Sequence, residues 1–266
     1  MRRLALAGWL AVAVAPVTAQ PPTPAQDEPR EGRQGKDVLW LATPDALVEK
    51  MLDLAAVTSR DRVLDLGSGD GRLVIAAARR GARATGLEYD AELVALSRRR
   101  ALAAGVAERA TFVQADIFAV DLPPADVITL FLRGDLNLRL RPRLLALPPG
   151  TRVVSNTFDM GNWHPDQTER VLGCDTWCFA HLWTVPARVE GNWTLGDALL
   201  TLEQSFQKLT GTLSRATAGQ RAVTGRVEGA RVWFETTGAR YAGRLVDGHL
   251  EGMTETGNAW RAERAP

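Results

Sequence analysis

Residues 63–72 read VLDLGSGDGR, an apolar run interrupted by Asp65 and followed by Gly67, Gly69 and Gly71. A short apolar run that stops at glycine reads as a buried strand of a parallel sheet, and the residues beyond it carry helical spacing. The three glycines are then the turn between strand and helix. A side chain there would collide with a ligand lying across the backbone, and glycine alone enters positive φ freely. In open α/β sheets, ligands bind at this carboxyl edge.

Spacing and charge separate two ligand classes. A nicotinamide-binding turn has the form G-x-G-x-x-G and holds a pyrophosphate at a helix N-terminus. Here the third glycine comes one residue early and an acid, Asp65, precedes the first. A carboxylate repels a pyrophosphate but attracts the ammonium of a methionine moiety, directly or through water. Glu88 ends the second expected strand, where it would accept hydrogen bonds from both ribose hydroxyls. Asp116 ends the third, placed for the adenine amino group, with Tyr89 and Ile117 flanking the ring. Three acids at three consecutive strand ends, together with the glycine turn, point to S-adenosylmethionine (SAM).

Outward from this turn, a helix is expected from Thr43-Pro44 to about residue 56, with Thr43 as N-cap and Pro44 at the first helical position. Further helices are expected over 71–80, 90–104 and 137–147, and strands over 83–88, 110–115, 126–132 and 151–155. Strands alternating with helices at this spacing predict an α/β, Rossmann-like sheet covered on both faces. Residues 37–189 form that domain. Beyond about residue 189 the rhythm changes. GRVEGARV at 225–232 and GRLVDGHL at 243–250 repeat weakly, each with a glycine turn between short strands, and Asp247-Gly248 is a hairpin signal. Residues 190–266 are expected to be a small antiparallel β module with Trp193, Trp233, Tyr241 and Trp260 in its core.

Met1-Arg2-Arg3 followed by an apolar run over 4–14 and small residues up to Ala19 has the pattern of a secretory signal peptide, 1–19. It predicts export, to the periplasm, or a membrane anchor if the segment is uncleaved. Residues 20–36 are rich in Pro, Gln and charge and read as a disordered linker. Cys174 and Cys178 fit a disulfide across a pinched hairpin in an exported chain, with two free buried thiols as the alternative. No metal site is expected, since the three histidines repeat no ligand spacing. Across 266 residues the formal charge is +1, which leaves no electrostatic footprint for nucleic acid.

Taken in order, WLATP, MLDLA, VLDLGSGDGRLVIAAA, GLEYD, ADIFAVDL, VITLFL, LRPRL, PPGTRVVS and NWHPD resemble one branch of the class I methyltransferases. That branch holds the archaeal protein-lysine methyltransferases and the mitochondrial enzymes that methylate lysine in the ATP synthase c subunit. The resemblance implies that the segment ending in Thr43-Pro44 folds over SAM, bringing Trp40 and Thr43 to it. The chain departs from the family in having Trp40 for a Tyr or Phe, Ala42 for a Pro, and Arg133 after TLFL. The leader and the β module are also unusual for the family.

A sulfonium methyl needs mainly an aligned lone pair, and an apolar channel lowers a lysine pKa without a dedicated base. Phe131 is the candidate border of such a channel, with a plain core aromatic as the alternative, and Trp163 and Asp166 are candidates for its rim, with a purely structural role as the alternative. His164 is the nearby candidate base, although a lone histidine in a loop is more often simply exposed. The function expected is N-methylation of a protein lysine. A small-molecule or lipid acceptor, or a fold that binds SAM without turnover, are the alternatives. The intact Asp65, Glu88 and turn glycines speak against the last.

Overall fold

The computed structural model describes Pro29 and residues 31–37, 39–217 and 219–265. The expected leader, 1–19, lies outside the described residues, as does most of the linker. The end of that linker is not a tether. β1 (Arg33–Gln34) pairs antiparallel with β2 (Leu39–Trp40), forming a small hairpin. Its composition gives no hint of this, because the contacts that order it lie on the distant sheet edge.

The chain continues through α1 (Asp45–Leu54), β3 (Arg62–Leu66), α2 (Arg72–Arg79), β4 (Arg83–Glu88), α3 (Ala91–Ala103), β5 (Ala110–Gln114), β6 (Val127–Leu130), α4 (Gly134–Leu144), β7 (Arg152–Asn156), β8 (Gln167–Arg170) and β9 (Phe179–Thr184). The sheet order is β5-β4-β3-β6-β7-β9-β8. β3 to β7 run parallel, while β9 returns antiparallel along β7 and pairs with β8. Strand order therefore reverses between β3 and β6, which opens a crevice at the carboxyl ends. Successive side chains alternate across the sheet. Val63, Val127 and Val154 pack with Leu47, Met51, Val74 and Ala77 of α1 and α2. Leu64, Ile128 and Val153 pack on the other face with Leu140 and Leu144 of α4, Trp163 and Trp183.

Local chemistry sets the helix ends. Asp90 caps α3, its carboxylate accepting from Glu92 N at 2.8 Å and Leu93 N at 3.4 Å, a contribution of about 1 kcal/mol. At α1 the cap position is Pro44, not Thr43, and no side chain caps it. The Thr43 hydroxyl instead accepts from Asn156 Nδ2 at 3.3 Å, tying the entry of α1 to the end of β7.

The C-terminal strands are β10 (Gly191–Leu195), β11 (Ala198–Ser205), β12 (Lys208–Arg215), β13 (Gly219–Glu228), β14 (Arg231–Thr236), β15 (Ala239–Val246), β16 (His249–Thr254) and β17 (Ala259–Arg264). Each pairs antiparallel with the next and β17 closes on β10, forming a barrel. Both repeat turns are hairpins, β13 to β14 and β15 to β16. Trp193, Phe234, Tyr241, Leu250 and Trp260 fill the interior. Phe234 stacks on Tyr241 with centroids 4.5 Å apart, and Trp260 meets both edge-on. Trp233 is not in this core. The two-residue period of β14 turns Phe234 inward and leaves Trp233 outside, 37% exposed.

The barrel is fastened to the sheet. Phe206, in the β11–β12 turn, stacks on the buried Trp163, and Ala187 N donates to Gly229 O at 2.7 Å. Gly229 approaches Gly150 so closely that a Cβ would stand 3.2 Å from its Cα.

Candidate active site

A cavity of about 460 Å³ opens at the crevice, within the range of small-molecule sites. Asp65, Gly67 and Gly69 line it from the β3–α2 turn, Glu88 and Tyr89 from the end of β4, and Asp116 and Ile117 from the segment after β5. Trp40 and Thr43 line it from the N-terminal segment, and Phe131 from the end of β6. Gly71 does not face it. A Cβ at Gly71 would stand 2.8 Å from the Phe112 ring and from Ser97 Cβ, so this glycine lets α2 pack against β5 and α3.

Asp65 is buried at the cavity floor. Thr129 Oγ1, its registered neighbour on β6, donates to Asp65 Oδ1 at 2.7 Å. Desolvation, reinforced by the Glu88 and Asp70 charges, pushes the Asp65 carboxyl up to about 7 against the opposing Thr129 bond. Asp70 shares the turn but has a different fate. Burial works to raise it, yet Arg72 and Arg100 override that and hold it below the usual carboxylate range. Asp65 is thus the turn acid left to meet a cation from the cavity. Ser68 Oγ is buried beside it with no hydrogen-bond partner among the described residues.

Glu88 accepts from Gly69 N at 2.8 Å through Oε2 and from Asp90 N at 2.9 Å through Oε1. It braces the glycine turn, and each oxygen keeps a second lone pair for a hydroxyl. Asp116 accepts from Phe118 N at 2.9 Å and pairs with Lys36. The Lys36 bond holds the Asp116 carboxyl below its ordinary value. Lys36 Nζ also lies 5.2 Å from the Tyr89 ring centroid. The hairpin thereby covers the cavity with two side chains, Lys36 over the Asp116 end and Trp40 over the glycine turn. A Cβ at Gly69 would collide with Trp40 Nε1. Arg72 Nη1 donates to Thr43 O at 2.8 Å and holds this segment down. Lys36 carries no motif that would have singled it out in the sequence.

The residues expected around the acceptor divide. Phe131 borders the cavity, and beside it stand Phe158 and Trp177, with ring centroids 5.5 to 6.3 Å apart. Neither of these two is evident in the sequence, since both fall in irregular segments. Trp163 and Asp166 do not form a rim. Trp163 is buried in the seam beneath the barrel, and Trp183 Nε1 donates to its carbonyl at 2.7 Å. The Asp166 carboxylate accepts from Thr184 N at 2.7 Å, Gln207 Nε2 at 3.0 Å and Arg226 Nη2 at 2.7 Å. It is a clasp between sheet and barrel. His164 is exposed and offers its carbonyl to Gln207.

Cofactor fit rests on Asp65 first. A buried carboxyl with a raised pKa, facing a cavity, matches a ligand ammonium. The glycine turn would admit a ligand across its backbone, and Glu88 at the end of β4 and Asp116 two residues past β5 would face its ribose and adenine. Asp65, Glu88, Tyr89, Asp116, Ile117, Trp40 and Thr43 would hold SAM.

Comparison with known proteins agrees. The ANTKMT methyltransferase domain family matches residues 65–167. A protein-lysine N-methyltransferase of Saccharolobus islandicus is 40% identical over 141 residues, spanning 50% of this chain and 85% of that protein. The Mus musculus lysine N-methyltransferase of the ATP synthase c subunit is 39% identical over 110 residues, 41% of this chain and 44% of that protein. The chain thus spans under half the length of the mouse relative. A solved structure from Salinibacter ruber, described as an RNA methyltransferase in complex with S-adenosyl-L-homocysteine, is 46% identical. It covers 56% of this chain and 96% of its own, with a TM-score of 0.53. Cavity, turn and relatives coincide, and the chain belongs to the family of SAM-dependent methyltransferases that includes the protein-lysine N-methyltransferases.

Proposed function

We propose that this enzyme methylates the side-chain nitrogen of a protein lysine, and that it does so outside the cytoplasm. The observation that carries the acceptor is the apolar end of the crevice. At the end of β6 and just beyond it the chain presents Thr129-Leu130-Phe131-Leu132, with Phe131 at the cavity and the Thr129 hydroxyl committed to Asp65. No acid of β6 competes for a proton there. SAM, when bound, supplies an electrophilic methyl. The residues of this chain orient and dehydrate: Asp65 anchors the ammonium end, Trp40 covers the turn, and the wall at Phe131 strips water from the incoming amine. Desolvation favours the neutral amine, whose lone pair must attack. The proton released leaves with solvent. Lysine acceptors in the names of the archaeal and mouse relatives support the same reading.

Export rests on the sequence of residues 1–19 and is in keeping with Cys174 and Cys178, whose sulfurs stand at bonding distance. Among the described residues no helix is long and apolar enough to cross a membrane.

Incubating the full chain with methyl-labelled SAM and fractionated cell envelope tests the acceptor. Label recovered as methyl-lysine after acid hydrolysis of protein supports it. Label in lipid or small-molecule extract, or in RNA as the description of the Salinibacter ruber relative would have it, overturns it. Fractionation of cells expressing the full chain tests export.

A further inference from the structure

Three aromatic residues meet beyond β6, and one of them, Phe131, lines the cavity. Phe131 follows β6, Phe158 follows β7, and Trp177 precedes β9, so all three stand at one edge of adjacent strands. Phe131 and Phe158 lie 6.3 Å apart at 27°, while Trp177 meets Phe131 at 5.6 Å and 63° and Phe158 at 5.5 Å and 37°. None of the three is buried, although aromatic rings grouped this way normally fill a core.

Backbone strain concentrates at the same place. Trp177 has φ 58° and Thr157, which aims Phe158, has φ 57°. For bulky or β-branched residues this region is an outlier. Such conformations are disfavoured and persist where surrounding structure over-determines them, commonly at ligand sites. Both constraints are visible. Thr157 is held by its N–H on Phe179 O at 2.7 Å and by His181 Nε2 on its carbonyl at 3.1 Å. Trp177 lies inside the five-residue ring closed by Cys174 and Cys178.

We infer that Phe131, Phe158 and Trp177 form a subsite for an alkylammonium, the side chain of lysine and its methylated forms, and that the Cys174–Cys178 bridge holds Trp177 in it. The inference rests on the lysine reading above and assigns its acceptor-recognition residues. Ring faces attract cations within about 6 Å. A primary ammonium surrenders strong hydration to reach them. Each added methyl weakens that hydration and spreads the charge, so affinity rises with methylation, and the subsite retains partly methylated lysine for further rounds. Opening the ring frees Trp177 to return to ordinary φ and dissolves the cluster.

The test uses the full chain saturated with S-adenosyl-L-homocysteine, titrated calorimetrically with Nα-acetyl-Nε-trimethyl-lysine methylamide and with its neutral carbon isostere. The cation should bind about tenfold tighter. Trp177→Leu should erase that preference and Trp177→Phe keep most of it. Cys174→Ser/Cys178→Ser, or thiol reduction of the native chain, should reduce it without moving S-adenosyl-L-homocysteine affinity. Thermal melts confirm that each variant is folded. Equal binding of cation and isostere, or a preference unchanged in Trp177→Leu, overturns the subsite. If lysine is labelled while Trp177→Leu keeps the preference, the subsite falls and the lysine reading stands. If the cation preference follows Trp177 while no protein lysine is ever labelled, the reading of function falls and the subsite stands.

Discussion

Thr129 donates its hydroxyl hydrogen to Asp65 at 2.7 Å, directly across the β3–β6 pairing at which strand order reverses. That bond opposes the desolvation that, with the Glu88 and Asp70 charges, raises the Asp65 carboxyl to about 7. An acid in this state responds to both pH and ligand.

A bound ammonium favours the ionised carboxylate, so affinity for SAM should weaken as pH falls below about 7. Calorimetry in buffers of different ionisation enthalpy should register proton release on binding near that pH. Without ligand the sign is reversed for stability. The folded state holds its proton more tightly than the unfolded, so this group's contribution is present below about pH 4 and is lost as pH rises through about 7. Asp65→Asn keeps a partner for Thr129 but removes the charge, and should weaken SAM by at least about 30-fold, from a cost of about 2 kcal/mol or more.

Trp40 lies over Gly69, and Gly69 has φ 53°. Gly69→Ala should displace the indole as well as strain the turn by about 1–2 kcal/mol. The expected outcome is a folded protein with lowered Tm, red-shifted tryptophan emission and lost cofactor binding. Adding Trp40→Ala should relieve the collision without restoring affinity.

Asp166 provides the contrast between a clasp and a catalytic rim. Asp166→Ala leaves Thr184 N without its acceptor in the seam, removes the partner of Arg226, and leaves Gln207 only the His164 carbonyl. It should cost about 2–4 kcal/mol of stability, visible as a lower Tm. Below the melting transition kcat/KM should change little. A large loss of turnover in a fully folded variant would restore Asp166 to the acceptor site.

His181 donates from Nε2 to Thr157 O, which can only accept, so Nδ1 is free to accept from Thr168 Oγ1 at 2.9 Å. Burial lowers its pKa below the usual 6.5 against the Thr157 bond. The unfolded chain then binds the proton more readily. The stability this group contributes is complete above about pH 6.5 and lost as pH falls through its lower folded value. Asp65 acts in the opposite direction over the same window and is common to both proteins, so melts between about pH 7.5 and 5 should show the His181 loss as a difference: His181→Asn gains on the native protein as pH falls.

Legibility followed the range of the interactions. The β3–α2 turn, β4 and α3 are local patterns of period and capping, so their positions in the sequence and in the structure agree within a residue or two. Asp65, Glu88 and Asp116 were legible because a strand end is a fixed place on the sheet edge. Trp40 was legible only through resemblance, since no local rule sends residue 40 to Gly69. Asp166 stayed open between rim and structural role because its partners Gln207 and Arg226 lie 41 and 60 residues away in another unit. Phe158 and Trp177 carry no periodicity at all. Their meeting depends on β9 returning along β7, a strand whose antiparallel course the alternating pattern upstream does not foretell.

The seam has a mechanical corollary for whatever the barrel meets. Because β17 closes on β10, all eight strands spend their backbone donors and acceptors on one another. A barrel without edges offers no template for β-augmentation by an incoming peptide. Recognition on that side must therefore be written in side chains and hairpin tips, where single substitutions can redirect it without unpairing the scaffold.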